Sequence, residues 1–184
     1  LIMGVRYFAF NAAKTVWFKL RKKAYGWGLS GDPSIAAYAE SRDIPVWRIK
    51  TPNSRSFQNE LREMDLDVII NQSQSIIKKG LLEIPRIGVI NRHNALLPRN
   101  RGRLTPFWVL YKREKETGVS IHFVTEGIDA GEIIVQKKFP VTHRESFRTL
   151  VRKNYEVAPK AIVEALDLLA QGRTDFLPND DEQA

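Results

Sequence analysis

The chain contains no cysteine, which excludes disulfides, thiolate nucleophiles and every metal site built on sulfur. Histidine is nearly as scarce: His93, His122 and His143 are the whole supply, too few for a multi-histidine metal centre. No apolar run reaches the ~18 residues of a membrane-spanning helix, because Arg6, Asn11, Lys14 and Lys19 interrupt the one candidate. A secretory signal would place its charges before the apolar stretch, whereas Arg21, Lys22 and Lys23 follow it. Low-complexity tracts and internal repeats are absent. What is present is ordinary: 184 residues, 43% hydrophobic and 27% charged, the balance of a globular chain that buries roughly 70% of its unfolded surface. A cytoplasmic protein is expected.

The net charge of +8 suggests a polyanionic partner, but its distribution weakens that inference. Residues 1–25 carry Arg6, Lys14, Lys19, Arg21, Lys22 and Lys23 with no acid, so most of the excess sits there. The last stretch, with Asp175, Asp180, Asp181 and Glu182, is acidic. A basic N-terminal segment on a balanced domain fits better than a nucleic-acid-binding surface spread over the molecule. Three parts are expected: a basic apolar helical segment (1–30), a catalytic-type domain (31–172) and an acidic tail (173–184).

Val5 to Lys23 reads as a helix whose apolar residues surround most of the axis. It suits packing against something large, a second copy included. The alternative is an interfacial helix on an acidic membrane. Asp32-Pro33 then opens a short helix with Asp32 as cap. Ile44–Ile49 is a strand, Ser54–Met64 an amphipathic helix, and Leu66–Ile70 a strand buried on both faces. A helix near Ile76–Leu82 and a strand at Gly88–Asn91 follow. This alternation predicts an α/β fold with an open, mainly parallel, doubly wound sheet. After residue 105 come a helix (Thr105–Lys115) and two strands, Val119–Val124 and Ile133–Gln136, joined by a turn, an antiparallel pair appended to the core. Thr142 and Glu145 have capping-box spacing before a helix that Pro159 interrupts and that ends before Gly172.

Three features point to chemistry. Asn91-Arg92-His93 ends a predicted strand, where residues i and i+2 share a side and where open α/β sheets place ligands. Leu96-Leu97-Pro98 precedes Arg99, Arg101, Gly102 and Arg103, a flexible basic loop beside that strand end. Gly127-Ile128-Asp129-Ala130-Gly131 sets an aspartate on a tight turn, 36 residues after His93. Each alone is weak.

Their ordered combination is not. Asn91-Arg92-His93-Asn94-Ala95-Leu96-Leu97-Pro98, then Thr117-Gly118-Val119-Ser120-Ile121-His122, then Ile128-Asp129-Ala130-Gly131 resembles the formyltransferase family that uses 10-formyltetrahydrofolate. The similarity runs from about residue 32 to 170. The family often has His-Pro-Ser where this chain has His93-Asn94-Ala95, and a Tyr where Asn100 stands; neither change removes a catalytic group. The family's first strand, its helix and its second strand have no clear counterpart. Either they are absent from the chain or the helix of residues 5–23 replaces them.

The resemblance implies a Rossmann-like sheet and a formyl donor, 10-formyltetrahydrofolate, with no metal. The formyl group would pass to a primary amine: a small molecule, a sugar nucleotide or an aminoacyl-tRNA. It implies a catalytic trio of Asn91, His93 and Asp129, with the amide stabilising an oxyanion and the imidazole moving a proton beside the carboxylate. The folate would lie against Gln74, Ser75 and Ile76 and against Val124, Thr125, Glu126, Gly127 and Ile128. Arg99, Arg101 and Arg103 would meet an acceptor phosphate. His122 is expected to be a strand residue rather than a catalyst. The competing expectation is a truncated, non-catalytic transferase-like domain that binds RNA or an acidic membrane through its basic segment.

Overall fold

The computed structural model describes residues 12–21, 34–73 and 75–180. The chain divides into two compact units, Leu1–Ile49 and Lys50–Ala184. In the first, residues 12–21 are helical (α1) and Arg21 stacks over the Trp17 ring at 5.1 Å. The rest of the expected 5–23 helix lies outside the described residues, as does the Asp32-Pro33 start. α2 (Ile35–Glu40) is capped by Ser34, whose side chain accepts from the Ala37 amide. The strand expected at Ile44–Ile49 does not form: these residues carry no ladder among the described residues. An apolar run becomes a strand only where a neighbouring backbone completes its hydrogen bonds.

The second unit is built on a four-stranded open sheet in the order β1 (Val68–Asn71), β2 (Gly88–His93), β3 (Glu116–Phe123), β4 (Ile133–Pro140). β1 and β2 pair in parallel, whereas β2–β3 and β3–β4 are antiparallel. The open sheet with its appended antiparallel strands is present as a mixed sheet, with a single parallel pair among the described residues, and the hand-over occurs at β2. Helices cover the sheet. On one face α6 (Phe147–Ala170) lays Ala158, Ala161, Ala165 and Leu169 against Ile90, Val119, Ile121 and Val135. On the other, Leu61 of α3 (Arg55–Glu63) and Leu81 of α4 (Lys79–Leu82) cluster with Ile77 and Val89. Val89 and Ile90 thus bury opposite faces of one strand, the reason Gly88-Val89-Ile90 reads as a continuous apolar run.

Several element bounds differ from expectation, α6 and α5 most of all. α6 runs unbroken through Pro159, which lies on the exposed side beside exposed Tyr155. The backbone groups that a helical proline leaves unpaired there face water, while the small buried alanines hold the opposite side to the sheet. The capping box belongs to Ser146 and Thr149 rather than Thr142 and Glu145; Glu145 instead pairs with Lys153 and accepts from Thr149. α5 (Thr105–Tyr111) also stops short of Lys115, because Arg113 takes a left-handed conformation (φ 54°) and β3 starts at Glu116. Among the described residues, no helix is long and apolar enough to cross a membrane.

Candidate active site

Register decides which side chains meet. Asn91 lies opposite His122, and His93 opposite Ser120, across the antiparallel β2–β3 pair. Because side chains alternate along a strand, these four polar residues share the face opposite Ile90 and Ile121. His93 is 5% exposed and His122 1%.

Asp129, from the β3–β4 turn, reaches back between the two imidazoles. Its Oδ2 is 3.3 Å from His93 Nδ1, and its Oδ1 is 3.6 Å from His122 Nε2. The Gly102 amide donates to Oδ2 at 2.8 Å. Each histidine meets a backbone carbonyl with its other nitrogen: His93 Nε2 with Asn100 O at 2.8 Å, His122 Nδ1 with Phe123 O at 2.7 Å. A carbonyl only accepts, so those nitrogens carry protons. In the neutral rings the remaining nitrogens, both turned toward Asp129, are the basic ones. One additional proton on either ring is then shared with the carboxylate. Asn91 Nδ2 stands 3.5 Å from His122 Nε2, leaving the second amide N–H of Asn91 for a ligand oxygen.

Electrostatics pull in opposite directions. Burial drives the His93 pKa below its ordinary 6.5, against the upward pull of Asp129 and the Asn100 carbonyl; Arg101 adds to the lowering. His122 is likewise lowered by burial, with Phe123 O and Asp129 opposing and with His93 and Arg101 reinforcing. Burial thus favours the neutral form of both rings, and Asp129 favours the protonated form.

The surrounding loops are pinned. Ser120 Oγ donates to Ala95 O (2.7 Å) and accepts from the Leu97 amide (3.0 Å). Gln136 Nε2 donates to Leu97 O (2.7 Å) and to Ser120 Oγ (3.0 Å). Leu96-Leu97-Pro98 is thereby fastened to the sheet beneath. At Gly131 a Cβ would lie 2.1 Å from Phe123 O, so only glycine lets the Asp129 turn return to β4. Asp129 itself takes a left-handed conformation, φ 48°.

The expected trio is brought together, and Ile76 and Ile128 are 81% and 73% exposed on their loops. Val124 continues the sheet through its amide to Val89 O (2.7 Å), and Thr125, Glu126 and Gly127 lead into the turn. Ser75 donates its amide to Ser73 Oγ at 3.3 Å; Gln74 lies outside the described residues. Arg103 is exposed, Arg99 pairs with Glu116 at 3.7 Å, and Arg101 donates to Asn179. Sequence reasoning missed two residues. His122, expected as a strand residue rather than a catalyst, does lie in β3, and only the register sets it against Asn91 and Asp129. Asn179 belonged to a tail given no function. Among the described residues no cluster of His, Asp or Glu is arranged to hold a metal ion. The surface concavity lined by Lys115, Glu116, Lys138, Phe139 and Pro140 sits at the far end of β3, about 20 Å from His122 at ~3.4 Å per residue.

Residues 3–166 match the family described as formyl transferase. The chain belongs to that family. The match begins well upstream of residue 32, where the motifs alone had placed the start of the similarity. The chain is 35% identical over 146 residues to a methionyl-tRNA formyltransferase of Geobacter sulfurreducens, covering 77% of this chain and 45% of that protein. It thus spans about half the length of the curated relatives it matches. Among solved structures it resembles glycinamide ribonucleotide transformylase 1 of Symbiobacterium toebii: 26% identity, TM-score 0.66, 73% of this chain and 68% of that one. It shares a fold with an N-formyltransferase of Helicobacter canadensis solved with folinic acid and dTDP-3-aminofucose: 21% identity, TM-score 0.66, 82% and 52% coverage.

Proposed function

We propose that this chain transfers a formyl group from 10-formyltetrahydrofolate to a primary amine by direct attack. The observation that carries the reading is Asp129 reaching from its turn to within 3.3 Å of His93, on the sheet face that also presents Asn91. Attack of a neutral amine on the formyl carbon forms a C–N bond and pushes the carbonyl electron pair onto oxygen. Asn91 supplies an N–H to that oxyanion, a contribution of roughly 10²–10³ in rate. The attacking nitrogen must lose a proton as the folate nitrogen leaves. His93 takes it at Nδ1, where Asp129 stabilises the imidazolium and fixes the ring, and returns it to the folate nitrogen as the bond from that nitrogen to the formyl carbon breaks. Such proton transfer contributes typically ~10²–10⁴-fold. His122 holds the Asn91 amide and shares the carboxylate, so it acts as a positioning residue.

The loop 75–76 and the segment 124–128 are the proposed folate side. The acceptor is proposed to be a phosphate-bearing amine: a sugar nucleotide, glycinamide ribotide or methionyl-tRNA, met by Arg103, an exposed cation of the basic loop, while Arg99 and Arg101 are engaged by Glu116 and Asn179. The family membership and the folinic acid bound to the Helicobacter canadensis enzyme support the donor. The test is to mix the chain with 10-formyltetrahydrofolate and each amine and to follow tetrahydrofolate release. Release that depends on one amine and disappears in His93→Ala is expected. An active preparation that kept its rate after that substitution would sink the role given to His93.

A further inference from the structure

The residues after α6 cross back over the site. Leu177 pairs with Ile133 by two backbone hydrogen bonds (2.9 and 3.0 Å), and the Phe176 ring packs edge-on against Phe123, centroids 5.5 Å apart. Two residues on, the Asn179 amide nitrogen donates to Asp129 O and to Gly131 O, each at 2.8 Å. Its backbone oxygen and its Oδ1 accept from the Arg101 guanidinium at 2.7 and 3.0 Å. Arg101 stands between Asn100, whose carbonyl meets His93 Nε2, and Gly102, whose amide holds Asp129 Oδ2.

We propose that residues 176–179 form a strap across the site, and that Asn179 is a positioning residue that fixes Asp129 against His93. Asp129 sits in a left-handed conformation that an aspartate adopts at a cost, so something must over-determine it. Asn179 does so by gripping the two carbonyls that bracket the bend, at residues 129 and 131. The same side chain ties that bend to the basic loop, so both partners of His93 are held by one residue. Without the strap, the hydrogen bonds described for the turn, 127–131, reduce to the Gly102 amide on the Asp129 side chain, beside the contacts of that carboxylate with His93 and His122. An amide side chain suits the position, since it donates with one end and accepts with the other.

The proposal rests on the catalytic reading of Asp129 for its importance, but its test does not. The groups facing His93 are the Asp129 carboxylate, the Asn100 carbonyl, the Arg101 guanidinium and the edge of His122. Of these the carboxylate is the movable one that raises the His93 midpoint. The 184-residue chain, with histidine labelled in its ring nitrogens, is titrated by NMR as wild type, Asn179→Ala, Asn179→Asp and Leu177→Ala. Asn179→Asp keeps an acceptor for Arg101 but loses both donations to the turn. Leu177 joins the strap through its backbone, so Leu177→Ala serves as the control. The expected result is a lower His93 midpoint in Asn179→Ala, a smaller fall in Asn179→Asp, whose added carboxylate itself pulls the midpoint up, and no change in the control. A kcat reduced about ten- to a hundredfold, with KM for the formyl donor nearly unchanged, should accompany it. A His93 midpoint unmoved in both Asn179 variants overturns the proposal, even if their melting temperatures fall, because Asn179 would then be only a structural clip. A shifted midpoint in a chain with no formyl transfer would leave the strap standing and remove the catalytic reading instead.

Discussion

His122 Nε2 stands 3.6 Å from Asp129 Oδ1, on the opposite side of the carboxylate from His93. One aspartate thus serves two imidazoles, and each neutral imidazole directs its one N–H at a main-chain carbonyl. Replacing His122 with Gln keeps a polar side chain but removes the ring that supports Asn91. We expect kcat to fall about tenfold, with the formyl donor's KM nearly unchanged, because His122 touches no reacting atom in the proposed scheme. Steady-state rates of tetrahydrofolate release check this; an unchanged kcat would remove His122 from the mechanism.

Asn91→Ala should be more costly, since it removes the oxyanion donor itself. A loss of roughly 10²–10³ in kcat is expected. Asn91→Asp should be at least as poor, because a carboxylate cannot donate. Circular dichroism on each variant confirms that the sheet is intact before the rates are compared.

Acid should destabilise the chain through the same two histidines. Each folded ring has a pKa below 6.5, while the unfolded ring titrates near that value. Between the two, the unfolded chain binds more protons, so stability rises with pH across that window. The full contribution is present above pH 6.5 and is lost as the pH falls from there to the folded values. Urea midpoints at pH 7.5, 6.0 and 5.0 should decline in that order, and His122→Gln should flatten the decline. A midpoint independent of pH would contradict the burial of the rings.

Gly131→Ala should destabilise and loosen the site together. The added Cβ meets a main-chain oxygen at 2.1 Å, with no side chain that can swing away. A cost of about 1–3 kcal/mol is expected from the forced backbone shift. Its measure is the urea midpoint, with His93 titration as the local probe. Wild-type stability would mean that the turn has slack the geometry does not suggest.

Leu150 is fully buried where α6 begins its run along the sheet. Leu150→Ala should therefore cost about 2–5 kcal/mol in thermal or urea unfolding, the usual range for an emptied core site.

Much of this was legible in the residue order. Asn91 and His93 could be set on one face because a strand's period is two. Asp129 could be set on a turn because glycines flank it. What stayed hidden was register. Nothing local in Thr117–His122 says that His122 rather than Ser120 faces Asn91; that depends on how two distant segments align across β2 and β3. The run of Pro159 through α6 was hidden for a related reason. A proline's effect depends on whether its carbonyl neighbours face water, and sequence alone left that side of the helix unassigned. Ile44–Ile49 shows the converse: strand-like composition, with no ladder among the described residues. Asn179 carried no signal at all, since its partners are carbonyls and an arginine loop 48 to 78 residues away.

The chemistry is consequently written in odd and even positions. Adding or deleting a single residue within β3 would carry Ile121 to the polar side and send His122 toward the α6 alanines, erasing the constellation without altering one functional side chain. Natural length variation should therefore be tolerated in the connections and forbidden between Gly118 and Phe123.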